Sequence, residues 1–375
     1  MIVGIIFINI GPYHLERVRA AARSLRQKGH QLVLIELTAN TLNHPWQIKR
    51  DEDEFQWITL LESNSNYQKS KLSVILKLQE ALKKSQIDVL AIAGYADSMM
   101  LSALLWCIRH RKPAILLSES QENDAARSWW QETFKSWILK GYKAALVGGK
   151  PHKRYLIKLG MVSESIFMGY DVVGNSALHP SKLGHLPKPM EQHYFLAINR
   201  FVPKKNLLML LSSYAAYCQL RNADSWDLVL CGEGSLRPQI EQYIAEHGLK
   251  NSVHLPGFLT QDELLSYFTH ASCFIHASIQ EQWGLVVNEA MAAGLPVLVS
   301  NRCGCFEDLV IEGVNGFGFD PENSQQLTDL MLKVSSGEVD LAKMGHAALE
   351  HIQKFSPDYF GQSLMQAVEY ALADH

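Results

Sequence analysis

Two α/β halves, each built on a doubly wound parallel sheet, are predicted by three features of this sequence. Short apolar runs alternate with amphipathic helical stretches along the chain, the pattern of parallel strands covered by helices on both faces. The chain has 375 residues, more than one core of ordinary size accommodates. The stretch "GNSALHPSKLGHLPKPMEQH" over 174–193 has three prolines and no periodicity, and the alternation restarts after it. The expected organisation is a first domain over 1–175, a linker over 176–193, a second domain over 194–354, and a terminal helix over 355–375 that could pack back on the first domain.

The elements follow in order. "IVGIIFINI" reads as a strand, "HLERVRAAARSLRQKG" as a helix ending at Gly29, and "QLVLIEL" as the next strand. Then come helix "SVILKLQEALKKS", strand "DVLAIAG", helix "SMMLSALLWCIRHR", strand "PAILLSES", strand "AALVGG" and helix "KPHKRYLIKLG". In the second half, "YFLAIN" is a strand, "NLLMLLSSYAAYCQL" a helix, "DLVLCG" a strand, "LRPQIEQYIAEHG" a helix and "VHLPGF" a short strand. "TQDELLSYFTHA" opens with Thr260 and Glu263 at capping-box spacing. "SCFIHA" and "PVLVS" are strands flanking "EQWGLVVNEAMAAGL". Ligands of such sheets bind beyond the carboxyl ends of the strands, so two such domains are expected to face each other across a ligand-binding cleft.

Composition is that of a globular protein, with 47% hydrophobic and 19% charged residues. A net charge of −3 does not mark a nucleic-acid binder. Charge is uneven, however: 23 Lys+Arg against 16 Asp+Glu over 1–175 (+7), and 12 against 22 over 176–375 (−10). A basic first half suits an anionic partner such as a membrane surface or a phosphorylated acceptor, and equally suits a merely solvated surface. Cys303-Gly304-Cys305 is the only close pair among six cysteines. Two thiols do not complete a zinc site, so the cysteines read as reduced and structural, in keeping with a cytoplasmic setting. "MIVGIIFINI" lacks a basic leader and a cleavage site and reads as a strand rather than a signal peptide. No run is long and apolar enough to span a bilayer.

"FIHASIQEQWG" is strand, loop and helix start, with the helix expected from about Gly284. The free amides of Trp283, Gly284 and Leu285 would then form an anion site. Glu281 lies beside it, and Glu289 lies roughly 7–8 Å further along the axis at 1.5 Å per residue. A nucleotide-sugar matches this layout: its diphosphate is the anion, and its sugar and ribose offer vicinal hydroxyls to carboxylates. Taken alone, the glutamate spacing equally describes a surface helix. "AINRFVPKKN" adds Arg200 at a strand end and Lys205 at the next helix start, two cations able to neutralise a diphosphate; Lys204 reads as a solvated neighbour.

"NRFVPKKN", "CGEGS", "LPGF" and "EQWGLVVNEAMAAGLPVLVS…NGFGFDP" resemble, in order and spacing, the signature of retaining glycosyltransferases of family GT4. The resemblance covers the second half and implies the GT-B architecture, two Rossmann-like domains facing across a cleft. It implies that Arg200 and Lys205 contact the donor diphosphate, Glu281 the donor sugar and Glu289 the ribose. Gly257-Phe258 falls in the family's base-binding region, and Gly232 and Gly234 in a tight turn near the donor. It also implies transfer with retention from a nucleotide-sugar to a glycan, lipid-linked or small-molecule acceptor, with no cofactor and no metal. A nucleotide-sugar epimerase, a phosphorylase or a non-catalytic nucleotide-sugar-binding subunit are the alternatives.

The first half resembles the family more loosely. Gly11 and His14 follow the first strand and face the predicted cleft, where acceptor or phosphate contact is one reading and an incidental helix-start histidine the other. The family's histidine after a middle strand is missing from "LLSESQENDAAR", where Ser118, Glu119, Glu122 and Asp124 stand instead. Glu119 is the candidate acid/base or acceptor contact, against a solvated loop carboxylate. Asp171, in the family's domain-closing turn, reads as structural. Trp129, Trp130 and Trp137 lie among lysines on one helix and suit a membrane interface or a lipid-linked acceptor, but packing into the core is the expected role. Asp51 and Asp53 form a literal Asp-x-Asp in a charge run that reads as a solvated loop, not a metal site.

Overall fold

The computed structural model describes residues 1–39, 55–62, 71–124, 127–221 and 224–373. The Asp51/Asp53 pair lies outside them. The chain forms two compact units, one of Met1–Glu122, Ala126–Val173 and Phe355–His375, the other of Asn123–Ala125 and Gly174–Lys354.

The first unit holds seven strands: β1 (Ile2–Phe7), β2 (Gln31–Thr38), β3 (Gln56–Leu61), β4 (Val89–Ala93), β5 (Ala114–Ser118), β6 (Ala144–Val147) and β7 (Ile166–Met168). They pair in parallel in the order β3-β2-β1-β4-β5-β6-β7. Helices α1 (Pro12–Gln27), α2 (Lys71–Lys84), α3 (Ser98–His110), α4 (Trp129–Leu139) and α5 (Lys150–Lys158) make the crossovers among the described residues. Alternate residues of β1 serve opposite faces. Val3, Ile5 and Phe7 pack with Leu15, Val18 and Leu25 of α1, whereas Ile6 packs with Val74 of α2 and Met100 of α3. At roughly 1.5–3 kcal/mol for each large apolar side chain fully buried, both faces of this strand lock its register. The strand order reverses between β1 and β4, so the crevice at their carboxyl ends is where α1 begins.

The second unit holds β8 (Tyr194–Ile198), β9 (Asp227–Cys231), β10 (Val253–Gly257), β11 (Cys273–His276), β12 (Val297–Ser300) and β13 (Gly316–Phe319) in the parallel order β10-β9-β8-β11-β12-β13. Its helices are α6 (Asn175–Leu178), α7 (Pro180–Leu183), α8 (Leu207–Arg221), α9 (Arg237–Glu246), α10 (Gln261–His270), α11 (Leu285–Ala292), α12 (Phe306–Leu309), α13 (Ser324–Ser335) and α14 (Leu341–Ile352). Thr260 and Glu263 form the capping box that opens α10. Residues 174–193 are tied to this unit: Asn175 Nδ2 donates to the Ile352 carbonyl at 2.8 Å, and His270 Nε2 lies 2.9 Å from the Leu186 carbonyl. Here the strand order reverses between β8 and β11. The last helix, α15 (Pro357–Leu372), packs on α1 in the first unit, burying Phe360, Leu364 and Val368 beside Val18 and Leu25.

The tryptophan helix departs from expectation. Trp129, Trp130 and Trp137 of α4 are 81%, 59% and 67% exposed, and only Ile138 and Leu139 of that helix are buried. The opposite face explains this. There Tyr155 donates to Glu132 Oε2 at 2.9 Å, and Lys135 donates to Glu132 Oε1 at 2.8 Å. A polar network and one apolar pair at the C-terminus hold α4 in place, leaving its aromatic ridge outward. No helix among the described residues is long and apolar enough to cross a membrane.

Candidate active site

The reversal point of the second sheet gathers the charged residues. β11 runs apolar and fully buried into His276. The chain then loops through Glu281 to Gly284, the residue before α11. Gly284 has φ 106°, a left-handed backbone that favours glycine, and a Cβ there would stand 3.3 Å from His276 Nε2, a tight contact. Trp283 does not present its ring: it is buried, and its Nε1 donates to Asn288 Oδ1 at 2.8 Å. What it can offer a ligand is its backbone. Glu289 is buried within α11.

Glu281 is held on three sides. Lys205 donates to its Oε2, Ser278 Oγ donates to the same oxygen at 3.2 Å, and His276 Nε2 lies 3.3 Å away. Burial alone would raise the carboxyl pKa, but the His276 hydrogen bond and the Lys205 charge outweigh it and hold the group well below the usual carboxylate range. Burial pushes His276 the other way, below the ordinary imidazole value, with Glu281 opposing. A neutral ring carrying its proton on Nε2 satisfies this geometry, since Nδ1 has no hydrogen-bond partner among the described residues.

Lys205 closes a one-turn 3-10 helix, Pro203–Lys205, and Asn206 follows with φ 58°. Lys204 contributes its carbonyl, which accepts from the Ile279 amide at 2.9 Å and ties the two loops together. Arg200, just after β8, is exposed; its carbonyl accepts from the Val202 amide at 2.9 Å, and its side chain has no ion pair or hydrogen bond among the described residues. Beside it the buried Asn199 leaves both Oδ1 and Nδ2 without hydrogen-bond partners among those residues. A buried, unsatisfied amide is costly, and sequence reasoning did not find it.

The "CGEGS" turn packs on this loop. Gly232 has φ 132°, and a Cβ there would sit 1.8 Å from the Asn199 carbonyl oxygen. Phe201 N donates to the Glu233 carbonyl at 2.7 Å, and Gly234 lies against the Phe201 backbone. The space freed by these glycines is therefore filled by the chain's own backbone. Gly232 N donates to the Gly257 carbonyl at 2.8 Å, and Phe258, the next residue, is exposed. Cys303 and Cys305 are buried thiols, pushed up by burial.

The first unit holds a second charged cluster. Gly11 N donates to His14 Nδ1 at 3.1 Å, so His14 caps α1. Burial and then the neighbouring Arg17 push its pKa down to about 3. Arg17 is buried one turn on; its Nε donates to the Val172 carbonyl at 3.1 Å and its guanidinium lies 4.9 Å from the Tyr170 ring centre. Its Nη2 is 3.6 Å from Asp171 Oδ1. Asp171 is buried, and Glu119 follows β5. Burial first and the Glu119 charge second push the Asp171 carboxyl well up, with Arg17 opposing. Glu119 is half-buried, and its charge acts on Asp171. Glu122 is exposed and paired with Lys158.

Each unit carries a parallel sheet whose strand order reverses, and the whole-chain fold is GT-B. A glycosyltransferase from Rickettsia africae superposes with TM-score 0.76 at 18% identity, covering 100% of this chain and 99% of that one. Anabaena HepE in complex with UDP and glucose superposes with TM-score 0.73 at 16% identity, over 98% and 99%. Residues 181–351 match the family "Glycosyl transferases group 1". An uncharacterized glycosyltransferase of Methanocaldococcus jannaschii is 27% identical over 166 residues, 44% of this chain and 45% of that protein. The mouse alpha-1,3/1,6-mannosyltransferase ALG2 is 29% identical over 204 residues, 50% and 48% of the two chains. These matches span about half the length of the curated relatives.

Proposed function

We propose that this protein transfers a sugar, with retention of configuration, from a nucleotide-sugar donor to a glycan, lipid-linked or small-molecule acceptor. The observation that carries the reading is the Lys205–Glu281–His276 arrangement at the sheet's reversal point, with an Arg200 side chain just after β8 that makes no ion pair or hydrogen bond among the described residues. Arg200 and Lys205 are the groups to neutralise the diphosphate, with the Gly284 and Leu285 amides at the start of α11. Glu281, kept ionised, accepts from donor-sugar hydroxyls, and Glu289 from the ribose. The exposed Phe258 is suited to stack on the base. A uridine nucleotide is the first base to test, because HepE was solved with UDP-glucose.

In the proposed step the bond between the anomeric carbon and the diphosphate oxygen breaks, and its electron pair leaves on that oxygen. The acceptor oxygen bonds the anomeric carbon on the same face, and its proton passes to the departing phosphate oxygen. Retention rests on the family resemblance. Glu119 is the candidate for orienting the acceptor hydroxyl. No metal or cofactor enters this scheme. A cytoplasmic location with peripheral contact at a membrane surface accords with the basic first half.

Thermal-shift measurements with UDP-, GDP-, ADP- and dTDP-sugars test the donor. One of them should raise the melting temperature of the wild type, and Lys205→Ala should abolish the shift. Product analysis with and without acceptor separates transfer from epimerisation, and donor binding without any turnover would leave a non-catalytic subunit. Full transfer activity in Glu281→Ala would sink the assignment.

A further inference from the structure

We propose that the groove between α3 and α4 of the first unit is a docking surface for an anionic lipid bilayer. The groove encloses about 670 Å³. Leu105 and Ile108 on α3 and Phe134 and Trp137 on α4 line it, and all four side chains are exposed. Trp130, Phe134 and Trp137 recur at helical spacing, so they form one ridge, and the Phe134 and Trp137 rings stack with centres 6.3 Å apart. An exposed apolar patch of this kind marks an interaction site. The polar network from Glu132 to Tyr155 holds the other side of α4, so the ridge is presented on a fixed support.

Charge selects the occupant. Arg111, Lys140 and Lys143 line the same groove with no ion pair among the described residues, and no carboxylate lines it. Lys112, the fourth cation there, is already paired with Asp88 at 3.1 Å. Tryptophan favours the boundary between headgroups and acyl chains, where one edge of the ring stays wet. Lysine and arginine stems lie along apolar surface while their charges reach anionic headgroups. Aromatic side chains flanked by unpaired cations fit an anionic bilayer surface better than a folded partner's core-like face, which would leave these cations buried and uncompensated. The inference needs nothing from the sugar-transfer reading.

The test uses the full chain and lipid vesicles, with brominated lipids to quench only those tryptophans that reach the acyl region. Wild type should sediment with vesicles containing phosphatidylglycerol, show quenched tryptophan emission there, and bind pure phosphatidylcholine vesicles weakly. A Trp130→Ala/Phe134→Ala/Trp137→Ala variant and a Lys140→Glu/Lys143→Glu variant should each lose more than about tenfold in affinity for the anionic vesicles. Both change exposed side chains, so their circular dichroism and melting temperatures should match wild type. Absence of wild-type binding to anionic vesicles, or unchanged binding by both variants, overturns the proposal. So does a concentration-dependent dimer, without lipid, that the aromatic variant abolishes, because a second copy would then cover the groove.

Discussion

Each unit gathers buried carboxyl groups where its strand order reverses or beside that crevice, yet the two places treat a proton in opposite ways. In the second unit Glu281 is in contact with Lys205 and receives hydrogen bonds from Ser278, with His276 at 3.3 Å. In the first, Asp171 faces another carboxyl, Glu119, and its cation Arg17 stands at 3.6 Å, beyond hydrogen-bond length. Burial penalises the charged form in both. A cation in contact and added donors overcome that penalty for Glu281; a like-charged neighbour compounds it for Asp171. Burial and the Glu119 charge together favour the neutral form of Asp171, with Arg17 opposing. Burial alone therefore does not say whether a carboxyl is built to stay ionised.

The largest effect is expected at the ionised site. Lys205→Ala or Glu281→Ala should lower kcat by about 10²–10³-fold, the scale of losing one well-placed charge stabiliser, read in a sugar-transfer assay once the donor is known. A value near wild type for either variant would break the contrast at its stronger end. His276 sharpens it. His276→Ala removes one of the groups that hold the Glu281 carboxyl low, so the acid limb of the kcat/KM profile should move to higher pH, with about a tenfold loss at neutral pH. An unmoved acid limb would show that Lys205 alone sets the ionisation.

The two places were not equally legible. Glu281 and Lys205 each stand in a short motif that the sequence shows, and the fold brings the two side chains into contact. His276 sits in an apolar strand run, where a histidine looks like core, and its partner appears only once the loop folds back. Arg17 is harder still: in "HLERVRAAARSL" it resembles the half-buried Arg19 and the exposed Arg23, and Asp171 lies far along the chain. Only strand order brings α1, the end of β5 and the segment after β7 together. The alternation of strands and helices was readable because buried parallel strands are nearly all apolar. The α4 tryptophans misled for a related reason: aromatic residues weigh toward a core, and the polar contacts that anchor this helix on its other face lie on residues distant in sequence.

The smallest effect is expected where a carboxyl is replaced by its amide. The folded-state pKa of Asp171 is raised above the ordinary aspartate value, so the native state keeps a proton that the unfolded chain releases near pH 4. Between that pH and the raised value the native state binds more protons, and stability falls as pH rises. Glu281 has the opposite sign: its folded pKa is depressed, so its contribution is complete above about pH 4 and is lost as pH falls below that. Asp171→Asn keeps the shape and, in place of the acid proton, an N–H donor toward Glu119. Its denaturant unfolding free energy at neutral pH should lie within about 1 kcal/mol of wild type or above it, because no ionised group is removed. Across a pH series the Asp171 part of the stability loss on rising pH should vanish in the variant, while the acid-side loss due to Glu281 remains. If Asp171 were instead an ionised partner of Arg17, the same substitution would leave a buried guanidinium unpaired and cost about 3–5 kcal/mol, and the two carboxyl sites would have to be read as alike.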